Sequence, residues 1–367
     1  MTTMTTESGS GRKINWSAVM VEGRALIALV LIIAVFSALS PNYFTPENLI
    51  IMSRHVAMNG ILALGMLVVI LNGGIDLSVG SIVGLAGVTA GWFLQGWTIP
   101  FTNTIMYPPV WAVIVIALAV GAFAGYLNGI IVSRWLVPAF VATLGMLYMA
   151  RGAALLITNG ETFVNLSGSP DLGNTGFVDF VFAKPLGIPS AVWMMVLVAI
   201  VLSILLNRTP FGRWLYASGG NERASILSGV PIKKVQTRIY IISALCAAIV
   251  GVLLTADLRA ATPKGGEFYE LNAIAAVVIG GAALAGGRGT IRGTIIGAFV
   301  IGFLVDGLVI VGVSVFWQQV IKGAVIVFAV ALDQGQQRLQ KSRAMKRTQS
   351  RLHQPGSAAP ASEVKAS

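Results

Sequence analysis

Ionisable side chains are scarce in this 367-residue sequence: Asp, Glu, Lys and Arg make up 11% of it, against 56% hydrophobic residues. A soluble chain of this length could not cover its surface with so few charges. Cysteine is scarcer still. Cys246 stands alone, which excludes an intrachain disulfide and leaves the redox compartment open. With one cysteine and two histidines, a His/Cys metal centre is excluded as well. No P-loop is present, because the glycine cluster Gly286–Gly293 lacks the Gly-Lys-Ser/Thr ending, and its spacing misses the dinucleotide fingerprint. Nor does a Gly-x-Ser-x-Gly elbow open a helix in soluble context. Little is left on which to build an enzyme.

What is abundant is uninterrupted apolar sequence. Runs of roughly 16 to 25 residues recur from Ala25 to Leu332, and the mean hydropathy is +0.81. The fold class they predict is all-α, a polytopic membrane protein of about ten transmembrane helices. The expected spans are Arg24–Leu39, Asn48–Leu71, Leu77–Leu94, Val110–Val132, Pro138–Ile157, Ser190–Leu206, Ile239–Ala256, Glu270–Leu284, Gly293–Val311 and Phe316–Leu332. Residues 1–23 read as a polar cytoplasmic tail, 24–333 as the membrane domain, and 334–367 as a basic cytoplasmic tail. Arg12 and Lys13 before an apolar stretch resemble a signal peptide. The lead-in is long and no small-x-small site follows, so the stretch is expected to stay as the first span.

The formal charge of +11 sits in two places. From Arg338 onward there are seven cations and one anion, and from Asn207 to Arg238 six cations and one anion. Cations in short flanking segments orient membrane helices, whereas nucleic-acid binders spread them over a folded face, so no nucleic acid is expected as partner. With the N-terminus inside, ten spans bring the C-terminus inside, together with Arg134, the 207–238 loop, Arg288 and Arg292. The tail is expected to be disordered or to lie on lipid headgroups.

Within that loop the signals of a small helix are complete. Asn221 can cap it, Glu222 suits the first turn, Gly229 suits a left-handed close, and Pro231 blocks continuation. Glu222–Ser228 is too short to stand alone in water and needs a surface. Asn221, Glu222, Arg223, Ala224, Ile226, Leu227, Ser228 and Gly229 therefore read as a docking handle through which a separate subunit delivers energy. Elsewhere, ionisable residues fall near or inside spans: Arg54, His55, Asp76, Arg151 and Asp306. Arg54 and Arg151 fit snorkelling or pairing with loop carboxylates, and His55 a satisfied helix-face imidazole. Asp76 lies in Gly-Gly-Ile-Asp-Leu-Ser, a break that suits either a transport path or a helix cap. Asp306 could meet a polar solute or an internal cation. Small residues at four-residue spacing, Gly80/Gly84, Gly87/Gly91, Gly121/Gly125/Gly129 and Gly293/Gly297, read as close helix packing.

Several stretches resemble the permease subunit of bacterial ABC importers for monosaccharides, the group of the ribose, xylose and galactose permeases. They are Gly-Gly-Ile-Asp-Leu-Ser-Val-Gly-Ser at 73–81, Phe-Val-Ala-Thr-Leu-Gly-Met at 140–146, Arg-Gly at 151–152 and Phe-Gly-Arg at 211–213. Gly-Gly-Asn-Glu follows at 219–222, Leu-Ser-Gly at 227–229, Tyr-Glu-Leu-Asn-Ala-Ile-Ala-Ala-Val-Val-Ile-Gly-Gly at 269–281 and Leu-Ala-Gly-Gly at 284–287. The resemblance spans roughly Arg24 to Asp333. It implies a second permease copy or paralogue, a cytoplasmic ABC ATPase that binds ATP and Mg, no cofactor in this chain, and a periplasmic sugar-binding protein. It also implies an inner-membrane location and makes 222–228 the coupling helix. Family members typically carry Asp at Asn272 and Asn at Asp306. Asn72, Asp76, Phe140, Asn272 and Asp306 are the expected substrate path. An ion-coupled secondary transporter, a family member carrying a non-sugar solute, and a membrane scaffold that recruits a soluble partner are the competing readings.

Overall fold

The computed structural model describes residues 16–99, 104–168, 170–328, 330, 331 and 335. The basic tail and the expected end of the last span at Leu332 lie outside the described residues. Among them the architecture is helical apart from a two-residue antiparallel pairing, β1 (Trp97–Thr98) with β2 (Ile105–Met106), in the expected uncharged loop. Helix α1 (Trp16–Leu39) starts eight residues before the expected span, so the polar lead-in is shorter than 1–23.

Helix α2 (Pro46–Leu71) opens as its sequence predicts. Thr45 Oγ1 accepts from Asn48 N at 3.4 Å, Pro46 fills the first turn, and Glu47 meets the positive dipole end. α3 (Val79–Leu94), α4 (Val110–Ser133) and α5 (Ala139–Thr158) follow. The long connection after α5 carries the short α6 (Asp179–Phe182) before α7 (Ser190–Arg208). Then come α8 (Pro210–Gly220), α9 (Glu222–Leu227), α10 (Ile232–Leu258), α11 (Tyr269–Ile279), α12 (Ile291–Ile310) and α13 (Val315–Phe328). Among the described residues, six helices are long and apolar enough to cross a bilayer: α2, α4, α5, α7, α10 and α12. This is a multi-pass membrane protein.

α2 and α10 form the middle. α10 packs on α4, α3 and α2, while α12 joins α2 to α1 and α11. The most apolar window of α2 is 83% buried and that of α7 only 22%, which puts α7, α4 and α5 on the outside of the bundle. The glycine stripes explain how closely α4 approaches α10. A Cβ at Gly125 would sit 2.5 Å from the Tyr240 carbonyl oxygen, and Gly121 and Gly129 face Ala248 and Thr237 in the same way. Gly293 and Gly297 bring α12 onto the Gly280 and Ala276 backbone of α11. The stripe on α3 departs from expectation in part: Gly80 and Gly84 meet the carbonyls of Gly266, Gly265 and Pro263, loop backbone rather than helix.

That contact marks the main difference from the predicted spans. α3 has 16 residues and α11 only 11, about 24 and 16 Å at 1.5 Å per residue, short of a hydrocarbon core of about 30 Å. Each is preceded by non-helical chain: Asn72–Ser78 before α3, and Arg259–Phe268 before α11. The second of these runs beside α3, from Ala261 against Gly91 to Gly266 against Gly80. The eighth span was expected to run Glu270–Leu284; the helix starts there, at Tyr269, but ends at Ile279, five residues early.

Candidate functional site

The basic segment 207–238 contains more helix than its sequence suggested. Pro210 at the first turn starts α8, which buries Phe211 and Leu215 and exposes Arg213. α10 begins at Ile232 rather than Ile239, so Lys233, Lys234 and Arg238 stand exposed on its first turns. Between them, α9 matches the small helix expected from the capping signals. Asn221 Oδ1 accepts from Ala224 N at 3.0 Å, Ser228 closes the helix, its hydroxyl bonded to the Ala224 carbonyl at 3.0 Å, and Gly229 takes φ +79°. Only Ser225 is buried. Glu222, Arg223 and Ala224 face outward, Ile226 is 56% exposed and Leu227 is 90% exposed. Among the described residues, nothing covers this apolar tip.

The handle connects to the interior through α8. Ser218 Oγ donates to Asn72 Oδ1 at 2.9 Å, and Gly219 abuts the Leu71 carbonyl, which also accepts from Gly287 N at 2.9 Å. Asn72 is the C-cap of α2 and the start of the break that leads to Asp76. Asp76 is wholly buried. Its Oδ1 accepts from Ser78 N at 3.0 Å and Ser78 Oγ at 2.6 Å, its Oδ2 from Ser243 Oγ at 2.9 Å, and Asn128 Nδ2 reaches Ser78 Oγ at 2.9 Å. The carboxylate thus makes a local turn bond just before α3 and ties it to α10, with α4 joined through Ser78; the cap position of α3 is held by Ser78, not by Asp76.

The other expected path residues lie apart. Phe140 is 56% exposed on the first turn of α5, whereas Asn272 is buried within α11. Asp306, on α12, pairs with His55 of α2: Oδ1 is 3.0 Å from Nδ1, while Oδ2 is buried without a partner. The preceding residue, Arg54, meets Asp257 Oδ1 through Nη1 at 2.5 Å; this is a carboxylate pairing, but with the last turn of α10 rather than with a loop, and the guanidinium lies 4.9 Å from the Phe182 ring centroid. Arg151 neither snorkels nor sits at a span end. Its Nη1 donates to the carbonyls of Pro263 and Gly265, pinning the segment that runs beside α3.

Two cavities are large. One of about 520 Å³ lies between the adjoining ends of α7, α8 and α12, near Asn207, Tyr216 and Arg292. The other, about 330 Å³, is bordered by Arg151, Lys264, Glu267, Glu270, Tyr148 and Phe268. Sequence reading missed this second group. The signal was there in Thr-Pro-Lys-Gly-Gly-Glu at 262–267, where prolines, glycines and charge interrupt the apolar pattern between two helices.

Among the described residues, six bilayer-length helices, two shorter ones preceded by non-helical chain and an exposed apolar turn make a helical bundle of the kind a membrane permease needs. The chain belongs to the family described as branched-chain amino acid transport system / permease component, which matches residues 48–330. Among curated proteins it is similar to the ribose import permease of Escherichia coli strain K12, 41% identical over 343 residues, covering 91% of this chain and all of that one. The ribose import permease of Bacillus subtilis strain 168 is 41% identical over 323 residues, 88% of this chain and 95% of the other. The fructose import permease of Rhizobium meliloti is 36% identical over 315 residues, 84% of each. No solved structure matches the chain.

Proposed function

We propose that this chain is the membrane-spanning subunit of an ATP-binding-cassette importer that carries a monosaccharide across the bacterial inner membrane. The single observation behind the coupling is α9: a turn capped at both ends, anchored through Ser225, whose most exposed residue is the apolar Leu227. A separate cytoplasmic ATPase, which binds ATP and Mg, seats this turn in a groove. The kinship to ribose, allose, fructose and arabinose permeases favours a sugar over a branched-chain amino acid. A periplasmic sugar-binding protein delivers the solute, and a second permease copy or paralogue completes the conduit.

In this reading the chain crosses the bilayer ten times with both termini inside. Eight crossings are helical, and α3 and α11 complete theirs with the non-helical stretches 72–78 and 259–268. Non-helical backbone at membrane depth is tolerated only inside protein or beside water, so both stretches belong to the conduit. The experiment is reconstitution. Proteoliposomes holding this chain, the ATPase that co-purifies with it from native membranes and a sugar-binding protein should take up sugar only with ATP. Uptake by this chain alone, driven by a proton or sodium gradient, would refute the proposal.

A further inference from the structure

We infer that the 330 Å³ cavity between α5 and the 259–268 segment is the place where the passing sugar is held and selected. The inference rests on the importer reading above and goes beyond it in naming the site. The cavity lies at the junction of the two half-length helices, because Gly80, at the start of α3, touches both Gly266 and the Glu270 carboxylate at the start of α11. From Gly91 to Gly80 is eleven residues of helix, about 16 Å at 1.5 Å per residue, so this junction is well below the outer end of α3. A volume of 330 Å³ is at the small end of ligand pockets, which run from about 300 to 1,000 Å³.

Its chemistry suits a neutral polyhydroxylated ring. Glu267 and Glu270 offer carboxylate oxygens that accept from hydroxyls, and exposed Lys264 offers an ammonium donor. The two carboxylates and the two cations, Arg151 and Lys264, balance formally, so the cavity attracts neither anions nor cations by bulk field. Tyr148, 71% exposed, and Phe268, 44% exposed, supply ring faces for the C–H side of a sugar. Arg151 acts as a positioning residue: its bonds to the Pro263 and Gly265 carbonyls hold the segment that bears Lys264, Glu267 and Phe268. None of the five path residues singled out by type in the sequence borders this cavity.

The test exploits the buried Cys246, the sole native thiol. In the reconstituted complex, Tyr148→Cys should react with a charged, water-soluble thiol reagent, and ribose, allose, fructose or arabinose delivered by the binding protein should slow that reaction. Tyr148→Ala and Glu270→Gln should each lower uptake per ATP hydrolysed roughly tenfold, or change the preference between pentose and hexose by that factor. Tyr148 needs no folding control beyond membrane abundance, since it is largely exposed. Reaction of Tyr148→Cys with a membrane-soluble maleimide but not with the charged reagent would place it in lipid and overturn the inference. So would protection by leucine alone. A wild-type complex that imports sugar while both uptake variants match it also overturns the site, whereas a wild-type complex that imports none under ATP refutes the importer reading itself.

Discussion

Nδ1 of His55 stands 3.0 Å from Oδ1 of Asp306, joining α2 to α12, while the other oxygen of that carboxylate is buried with no hydrogen-bond partner among the described residues. A buried carboxylate stripped of its one partner is costly. His55→Ala should therefore destabilise the detergent-solubilised protein by about 1 to 2 kcal/mol, the His55 side chain being 42% exposed, and adding Asp306→Asn should restore most of the loss. Thermal unfolding followed by tryptophan fluorescence checks both. A double variant no more stable than His55→Ala would show that the pair carries no coupling.

Leu227→Asp should leave thermal stability within about 0.5 kcal/mol of the parent, since the side chain is 90% exposed. It should also abolish ATP-driven uptake and weaken co-purification of the ATPase. Normal uptake by this variant would remove α9 from the coupling path.

Gly125→Ala should destabilise by about 1 to 3 kcal/mol, because the added methyl meets the Tyr240 carbonyl oxygen and Ala244 Cβ where α4 crosses α10. Gly145→Ala on α5 is the control: nothing lies within 4 Å of its position, so folding stability should hold or rise slightly. Paired unfolding curves read the difference directly.

Arg151→Ala frees the Pro263 and Gly265 carbonyls, and each lost charge-assisted bond is worth about 1.5 to 3 kcal/mol. Protease access to the 259–268 segment should rise, and Arg151→Lys should recover part of the protection. Equal cleavage of all three proteins would show that the arginine does not secure the segment.

Much of the bundle was legible in the sequence. Apolar runs located most long helices to within a few residues, and the Asn221, Glu222 and Gly229 signals drew α9 almost to its observed ends. Two things were not legible, for one reason: hydropathy counts apolar residues but does not record where backbone leaves the helix. Glu270–Leu284 looked like a span because Gly280 and Gly281 are as compatible with lipid as alanine, yet the helix ends at Ile279. Arg259–Phe268 looked like an outer loop because Lys264 and Glu267 are charged, yet Gly80 and Gly84 leave room for it along α3. The path residues were chosen by type. Asp76 drew notice as a buried charge in a helix break, and its bonds to Ser78 and Ser243 show it knitting three helices together. Arg151 was set aside as a snorkelling cation because its partners, two carbonyls more than a hundred residues away, leave no local mark.

The seat of α8 against α2 has a mechanical consequence. Ser218 grips Asn72 at 2.9 Å, and Gly219 leaves no slack against the Leu71 carbonyl. Displacing the small turn at the surface therefore cannot be absorbed as loop flexing. The motion arrives, like that of a crank on a short shaft, at the hinge from which α3 departs.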